Sequence, residues 1–246
     1  MLKLKNKKGR YYYSVLNNPI ARVMKFERFF EYFSDLKGGG TVLDYGSGDQ
    51  PLKDFLKTKY GNYISADYLP SNASHSVLPD VEIVNDGQIE IKSNSIDCVV
   101  MTEVLEHIYS PKDVLSELHR VLKNNGTLIG TVPFSIGEHE QPYDFHRYTS
   151  FCLIRMFEES GFSVKSVDYI GDGVGVSVVN FSHIFLIFPK ALNKIGFVSL
   201  SKFIAFIINL PGIIYFFIVK AGVDPQKIPY YKKNPFGFVF FVTKKS

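Results

Sequence analysis

The sequence predicts an α/β fold in which mostly parallel strands form an open sheet with helices on both faces. Three observations predict it. Val42-Leu43-Asp44-Tyr45-Gly46-Ser47-Gly48 is a short apolar run closed by an acid and two glycines spaced by one. That is the pattern of a buried strand followed by a tight turn whose backbone a ligand can approach. Further short apolar runs follow at Tyr63–Asp67 and Val81–Asp86, each ending in an acid, and at Ser95–Met101, which Thr102-Glu103 follows. Between and after them lie helical stripes such as Leu115, Leu118, Val121 and Leu122, and such alternation of periods marks strands joined by crossover helices.

Residues 1–18 begin with a basic segment that includes Lys3, Lys5, Lys7, Lys8 and Arg10. From Pro19 to Leu36, Ile20, Val23, Met24, Phe26, Phe29, Phe30 and Phe33 recur at helical spacing, and Gly38-Gly39-Gly40 ends the helix. After the first strand and its glycines, Asp49 suits an N-cap and Pro51 the first helical turn. Asp67 lies roughly 20 residues past the glycines, where such folds place a carboxylate that accepts ribose hydroxyls. Ser110-Pro111 starts a helix that Asn124-Asn125-Gly126 ends. Thr127–Phe134 is the fifth strand, Thr149 caps a helix running to Ser160-Gly161, Ser163–Ile170 is the sixth strand, and Phe236–Val242 is an almost wholly apolar run near the C-terminus. Asp49-Gln50-Pro51 stands where a dinucleotide loop carries its third glycine, which disfavours a diphosphate and a nicotinamide-dependent reductase.

The glycine turn resembles the motif of class I S-adenosylmethionine (SAM) methyltransferases, and Thr102-Glu103-Val104-Leu105-Glu106-His107-Ile108 resembles the segment that follows the fourth strand in that family. The resemblance covers about residues 40–172 and one strand near the C-terminus. It implies a Rossmann-like, seven-stranded sheet with Phe236–Val242 as the seventh strand, and SAM as cofactor. It places Asp44, Gly46 and Gly48 at the glycine turn, Asp67 on the ribose, Asp86 on the adenine amine and Glu103 near the methionine end. The N-terminal helix would cover the cofactor or substrate side. A binding protein that kept the fold without catalysis is a second class of reading, against which the full set of motif residues argues.

Glu138-His139-Glu140-Gln141-Pro142-Tyr143-Asp144-Phe145-His146-Arg147-Tyr148-Thr149 follows the fifth strand, where substrate loops sit in this fold. It resembles a segment of bacterial methyltransferases of cell-surface polysaccharide and glycoconjugate pathways. Asp144 and Arg147 are expected to pair across a turn. His139, with His146 behind it, is the expected catalytic base for a hydroxyl acceptor, since imidazole titrates near neutrality. Glu103, Glu106 and His107 also have a spacing that places three ligands on one helical turn. That resembles metal-dependent O-methyltransferases acting on small-RNA ends and ubiquinone precursors, and a further His from the 139–146 loop would complete such a site. Metal-independent relatives carry the same pattern, so the expectation is no metal, with Glu103, Glu106 and His107 as the alternative ligand set.

About 60 residues separate Gly171 from Phe236, and they are strongly apolar, with Lys190, Lys194, Lys202 and Lys220 punctuating the runs. The organisation expected is therefore a basic segment at 1–18, a methyltransferase domain at 19–172 and 236–246, and an apolar helical insertion at 173–235. The apolar runs are short and interrupted for ordinary membrane spans of about 20 residues. They are expected to form a shallow, monotopic attachment on the inner face of the cell membrane, with lysines at headgroups and the catalytic domain in the cytoplasm. An oligomer interface is the competing reading.

With 246 residues and a net charge of +4, the chain has room for one substantial core and too little charge to argue for nucleic acid. The two cysteines, Cys98 and Cys152, are expected as buried free thiols in a reducing compartment. The N-terminus lacks an apolar signal-type run, so no secretory signal is expected. The function expected is methyl transfer from SAM, chiefly to a hydroxyl of a small-molecule or lipid-linked saccharide of a surface polymer. A metal-assisted O-methyltransferase of another small molecule, such as a quinone precursor, is the alternative.

Overall fold

The computed structural model describes residues 30–34, 36, 38–69, 77–84, 87–220 and 234–245. The basic segment, most of the Pro19–Leu36 helix and Asp86 lie outside the described residues. The chain divides into two compact units: among the described residues, one holds 30–168 and 237–245, the other 169–220 and 234–236.

The sheet has seven strands: β1 (Thr41–Tyr45), β2 (Asn62–Asp67), β3 (Val81–Glu82), β4 (Ile96–Thr102), β5 (Leu122–Pro133), β6 (Phe162–Ile170) and β7 (Gly237–Lys244). Their order is β3-β2-β1-β4-β5-β7-β6. β1 pairs in parallel with β2 on one side (Leu43↔Ile64) and with β4 on the other (Leu43↔Val99). The order therefore reverses direction beside β1, and the ends of β1, β2 and β4 open a crevice of the kind in which ligands settle. β7 runs antiparallel to β5, with Phe240 opposite Gly130.

The central strands read as apolar runs because both their faces are covered: Val42, Leu43, Val99, Val100, Ile129 and Val239 are fully buried. Helix α1 (Lys53–Leu56) follows β1, and α2 (Pro111–Val121) buries Val114, Leu115, Leu118 and Val121 on one stripe. Each large apolar side chain buried this way contributes about 1.5–3 kcal/mol against the entropy of ordering it. In α3 (Ser150–Glu159) the Thr149 side chain accepts the backbone N–H of Cys152 at 3.2 Å, as its N-cap position predicts.

Several boundaries differ from the sequence reading. Pro51 precedes α1, because Gln50 turns the chain with φ 55° and Leu52 is the N-cap. α2 ends at Val121 rather than at Asn124-Asn125-Gly126. Leu122 already pairs with Ile96, and the residues up to Gly126 form an irregularity before Thr127 pairs with Cys98. Ser110 sits at the N-cap of α2 without a side-chain capping bond. β3 is only two residues long. Cys98 is buried but Cys152 is exposed, because it lies on the solvent side of the first turn of α3.

Residues 30–34 are helical. They pack on the helix after β1: Phe30 and Phe33 meet the Phe55 ring at 4.5 and 5.1 Å, and Lys59 Nζ donates to the Phe33 carbonyl at 2.8 Å. None of residues 30–34 lines the crevice at the strand ends, and most of the helix expected to cover it lies outside the described residues.

The second unit contains α4 (Gly173–Phe185), α5 (Ile187–Lys194) and α6 (Val198–Lys220). Asp172 caps α4 by accepting the backbone N–H groups of Val174 and Gly175 at 2.8 and 3.0 Å. It also accepts a hydrogen bond from the Tyr215 hydroxyl of α6.

Candidate active site at the strand ends

A cavity of about 410 Å³ opens at the carboxyl ends of β1, β2 and β4, within the roughly 300–1,000 Å³ typical of small-molecule sites. Gly46 leaves β1 with φ 74°, and its N–H and that of Ser47 both reach the Ala66 carbonyl, at 2.8 and 3.0 Å. A side chain there would strike Val104 Cγ2 at 2.3 Å, so the turn demands glycine on both conformational and steric grounds. Gly48 has φ 50° and faces open space, leaving bare backbone towards the cavity.

Asp67 ends β2. One carboxylate oxygen accepts the Gly48 N–H, and the other accepts the Tyr68 N–H at 2.7 Å. A carboxylate offers about four acceptor sites, so these two bonds fix its orientation and leave capacity for two more donors. Glu103 ends β4 in a left-handed conformation, φ 55°. Its N–H donates to the Thr131 carbonyl at 2.9 Å, and its Oε1 accepts the Thr131 hydroxyl at 2.8 Å. A non-glycine residue held in that region is a strained position of the kind found at ligand sites.

Asp44 is placed differently. It lies beneath the turn, outside the cavity lining, with its carboxylate accepting the Tyr63 hydroxyl at 2.8 Å. Burial pushes its pKa up to about 7; the Tyr63 hydrogen bond opposes this and the Asp67 charge adds to it.

The other wall of the cavity is aromatic and comes from three loops: Tyr68, Tyr109, Tyr143 and Phe145. Tyr68 meets Tyr143, and Tyr109 meets Phe145, edge to face at 6.3 and 5.5 Å. The loop after β5 folds back because the Phe145 and His146 N–H groups both donate to the Glu106 carbonyl, at 2.9 and 3.1 Å. Asp144 and Arg147 form the expected pair, two bonds of 2.7 Å. The Arg147 guanidinium, with the His139 backbone N–H, holds the Asp144 carboxyl well below the usual carboxylate range.

Of the three candidate imidazoles, His107 lines the cavity and His139 and His146 do not. His107 Nδ1 lies 2.7 Å from the Tyr143 carbonyl, so it carries the proton and donates it. Nε2 then lies 3.7 Å from both Glu106 Oε1 and Glu140 Oε2. His139 stands edge-on to His107 at 4.9 Å, with Nδ1 3.3 Å from Asp144 Oδ2. His146 Nε2 lies 3.4 Å from the Tyr109 carbonyl. Ligand atoms of Glu106, His107 and His139 all fall within 4.8 Å of one another, so the cluster joins the 139–146 loop to the Glu106-His107 pair, while Glu103 is engaged with Thr131.

Among the described residues, three carboxylates line the cavity (Asp67, Glu103 and Glu140), with one imidazole and no lysine or arginine. The site is therefore built for a ligand that is cationic and rich in donors, and poorly suited to a diphosphate.

The chain belongs to the methyltransferase-domain family, whose model matches residues 20–167. It is 26% identical over 155 residues to a probable S-adenosylmethionine-dependent methyltransferase of Mycolicibacterium smegmatis, covering 59% of this chain and 60% of that protein. It is 30% identical over 135 residues to the methyltransferase AacuQ of Aspergillus aculeatus, covering 50% of this chain and 42% of that one. A solved SAM-dependent methyltransferase from Archaeoglobus fulgidus shares the fold at a TM-score of 0.54 and 14% identity, covering 91% of this chain and 94% of that chain. The chain thus spans 60% or less of the length of these curated relatives.

Proposed function

We propose that this chain is a SAM-dependent methyltransferase that methylates a hydroxyl of a saccharide, free or lipid-linked, at a membrane surface. The observation that carries the reading is the acidic cavity at the switch point, with Asp67 oriented by two backbone N–H groups. Asp67 would accept the two ribose hydroxyls, the Gly46–Gly48 backbone would border the cofactor, and Glu103 would face its ammonium end. When bound, SAM supplies an already activated methyl group. The protein then has to align the acceptor and exclude water.

The aromatic wall of Tyr68, Tyr109, Tyr143 and Phe145 suits the apolar face of a sugar ring. His107 is the imidazole that faces the acceptor side. With Nδ1–H committed to the Tyr143 carbonyl, Nε2 is free in direction to take the acceptor proton. His139 and His146 support the loop that shapes this wall. The apolar second unit supports a membrane-bound setting, and in this reading the catalytic unit works in the cytoplasm.

The cluster of Glu106, His107 and His139 favours a second reading, in which a divalent ion assists the acceptor hydroxyl. Two imidazoles and a carboxylate are a fitting donor set, and the Tyr143 carbonyl on His107 Nδ1 is the outer-shell contact that such ligands have. In that case these residues hold the ion, which would lower the acceptor pKa.

Calorimetry tests the primary reading. SAM should bind, and Asp67→Ala should lose about 1.5–3 kcal/mol, the range for hydrogen bonds to a charged group. Undiminished binding, or a preference for NAD, overturns it. Titration of the protein with Mn²⁺ or Zn²⁺ separates the second reading: heat that disappears in His107→Ala supports it.

A further inference from the structure

The helices of the second unit are packed inside out. On α6 the residues turned inward are Ser201, Ala205, Asn209, Gly212 and Tyr215, small or polar at helical spacing. The large apolar side chains of α6 point outward: Phe203 and Phe217 are 63% and 64% exposed. α4 and α5 show it in part: Gly173, Gly175 and Ser182 are inside together with Val176, Val179 and Leu186, while Ile184, Ile187 and Phe188 are outside. Hydroxyls bridge the two arms: Ser182 Oγ donates to the Ile208 carbonyl at 3.2 Å, and Ser201 Oγ to the Pro189 carbonyl at 2.7 Å. Small residues between helices, polar groups as bridges and bulky apolar groups outward is the arrangement that hydrocarbon solvent selects, and the reverse of what water selects.

Charge divides the hairpin by height. No Asp, Glu, Lys or Arg falls between Asp172 and Lys190 or between Lys202 and Lys220, seventeen residues on each arm. α4 and α5 meet at Leu186, whose φ of −66° keeps the arm helical, and the stretches Gly173–Lys194 and Val198–Tyr215 are each long and apolar enough to cross a membrane. Seventeen helical residues rise about 26 Å, close to a hydrocarbon core of about 30 Å once lysines at the band ends are allowed to snorkel. Lys190, Lys194 and Lys202 gather at the turn; Asp172 and Lys220 lie at the open end.

Resting on the membrane attachment proposed above, we infer that the α4–α6 hairpin crosses the bilayer as two antiparallel helices and places its lysine-bearing turn on the face opposite the catalytic unit. The occupant of the outward apolar faces is lipid, and the attachment is deeper than the monotopic mode expected from sequence. Since an even number of crossings returns the chain to its starting side, β7 still reaches the sheet.

Full-length protein carrying Asn193→Cys in a Cys152→Ser background tests this in spheroplasts, with a membrane-impermeant maleimide. Labelling of the thiol introduced at position 193 should be equal in intact spheroplasts and after lysis, whereas Cys152, read in parallel in the protein without substitutions, should label only after lysis. Lys194→Cys provides a second turn position should the first fold poorly. Labelling of both sites or of neither in intact spheroplasts overturns the crossing, as does a soluble dimer without detergent. If the turn is shielded while the protein stays with the membrane pellet, attachment stands and only the crossing falls. SAM binding by the solubilised protein reports on the methyltransferase reading separately.

Discussion

Asp44 is a motif residue whose carboxyl lies outside the cavity lining. Its carboxyl is buried under the glycine turn with the Tyr63 hydroxyl as partner, and burial lifts its pKa to about 7. The folded state therefore holds a proton that the unfolded chain releases above about pH 4. Its contribution to stability is complete below that value and is lost as pH rises through about 7. Asp44→Asn keeps an acceptor for Tyr63 and removes the ionisation. Thermal melts should show the variant gaining on the wild type between pH 5 and pH 8, by on the order of 5 °C. Parallel pH profiles would show that the carboxyl ionises in the folded protein without penalty. The imidazoles teach a related lesson. His107, His139 and His146 are all visible in the sequence, yet no local spacing says which ring faces the cavity. That is settled by the two N–H bonds from Phe145 and His146 to the Glu106 carbonyl, contacts between segments about 40 residues apart.

At the scale of elements, the glycine turn separates stability from binding. Gly46→Ala must place a methyl 2.3 Å from Val104 Cγ2 at φ 74°, whereas Gly48→Ala meets nothing at φ 50°. Gly46→Ala should lower the melting temperature strongly. Gly48→Ala should cost only the roughly 1–2 kcal/mol of a left-handed alanine while weakening SAM binding tenfold or more, because its methyl enters the space beside Asp67. Calorimetry and melts on the pair check this, and equal loss of stability in both would refute the division of roles. The strands were legible because central parallel strands, covered on both faces, carry unbroken apolar runs, and the ends of β1, β2 and β4 could be read from the acids that close them. α2 was legible from its stripe. Its end was misread because Lys123-Asn124-Asn125-Gly126 carries helix-stop chemistry, while the actual stop is the pairing of Leu122 with Ile96, a long-range event. The insertion showed its hydrophobicity but not its polarity inversion, since which face of a helix turns inward depends on the partner helix.

For the whole molecule, the expected behaviour is that of a membrane protein despite a net charge of +4. Fractionation should leave the full chain with membranes in high salt and release it with detergent, because apolar burial is not screened by ions. Replacing Phe203, Phe206, Ile207 and Phe217 with Ser should shift it towards the soluble fraction, and release of the wild type by salt alone would contradict the assignment. The strand order carries one more implication, for how the protein is made. β7 pairs with β5 from Pro133↔Gly237 onward, so more than a hundred residues, the whole hairpin among them, leave the ribosome between the two partners. At about 5–20 residues per second, the β5 edge waits roughly 5–20 s for its neighbour. Throughout that interval the nascent chain presents an open sheet edge and an emerging apolar hairpin together, the two features that most invite aggregation. On the membrane reading proposed above, housing the hairpin during synthesis would remove one of them, and β7 would then close the other, which would make completion of the sheet depend on the cell's insertion machinery.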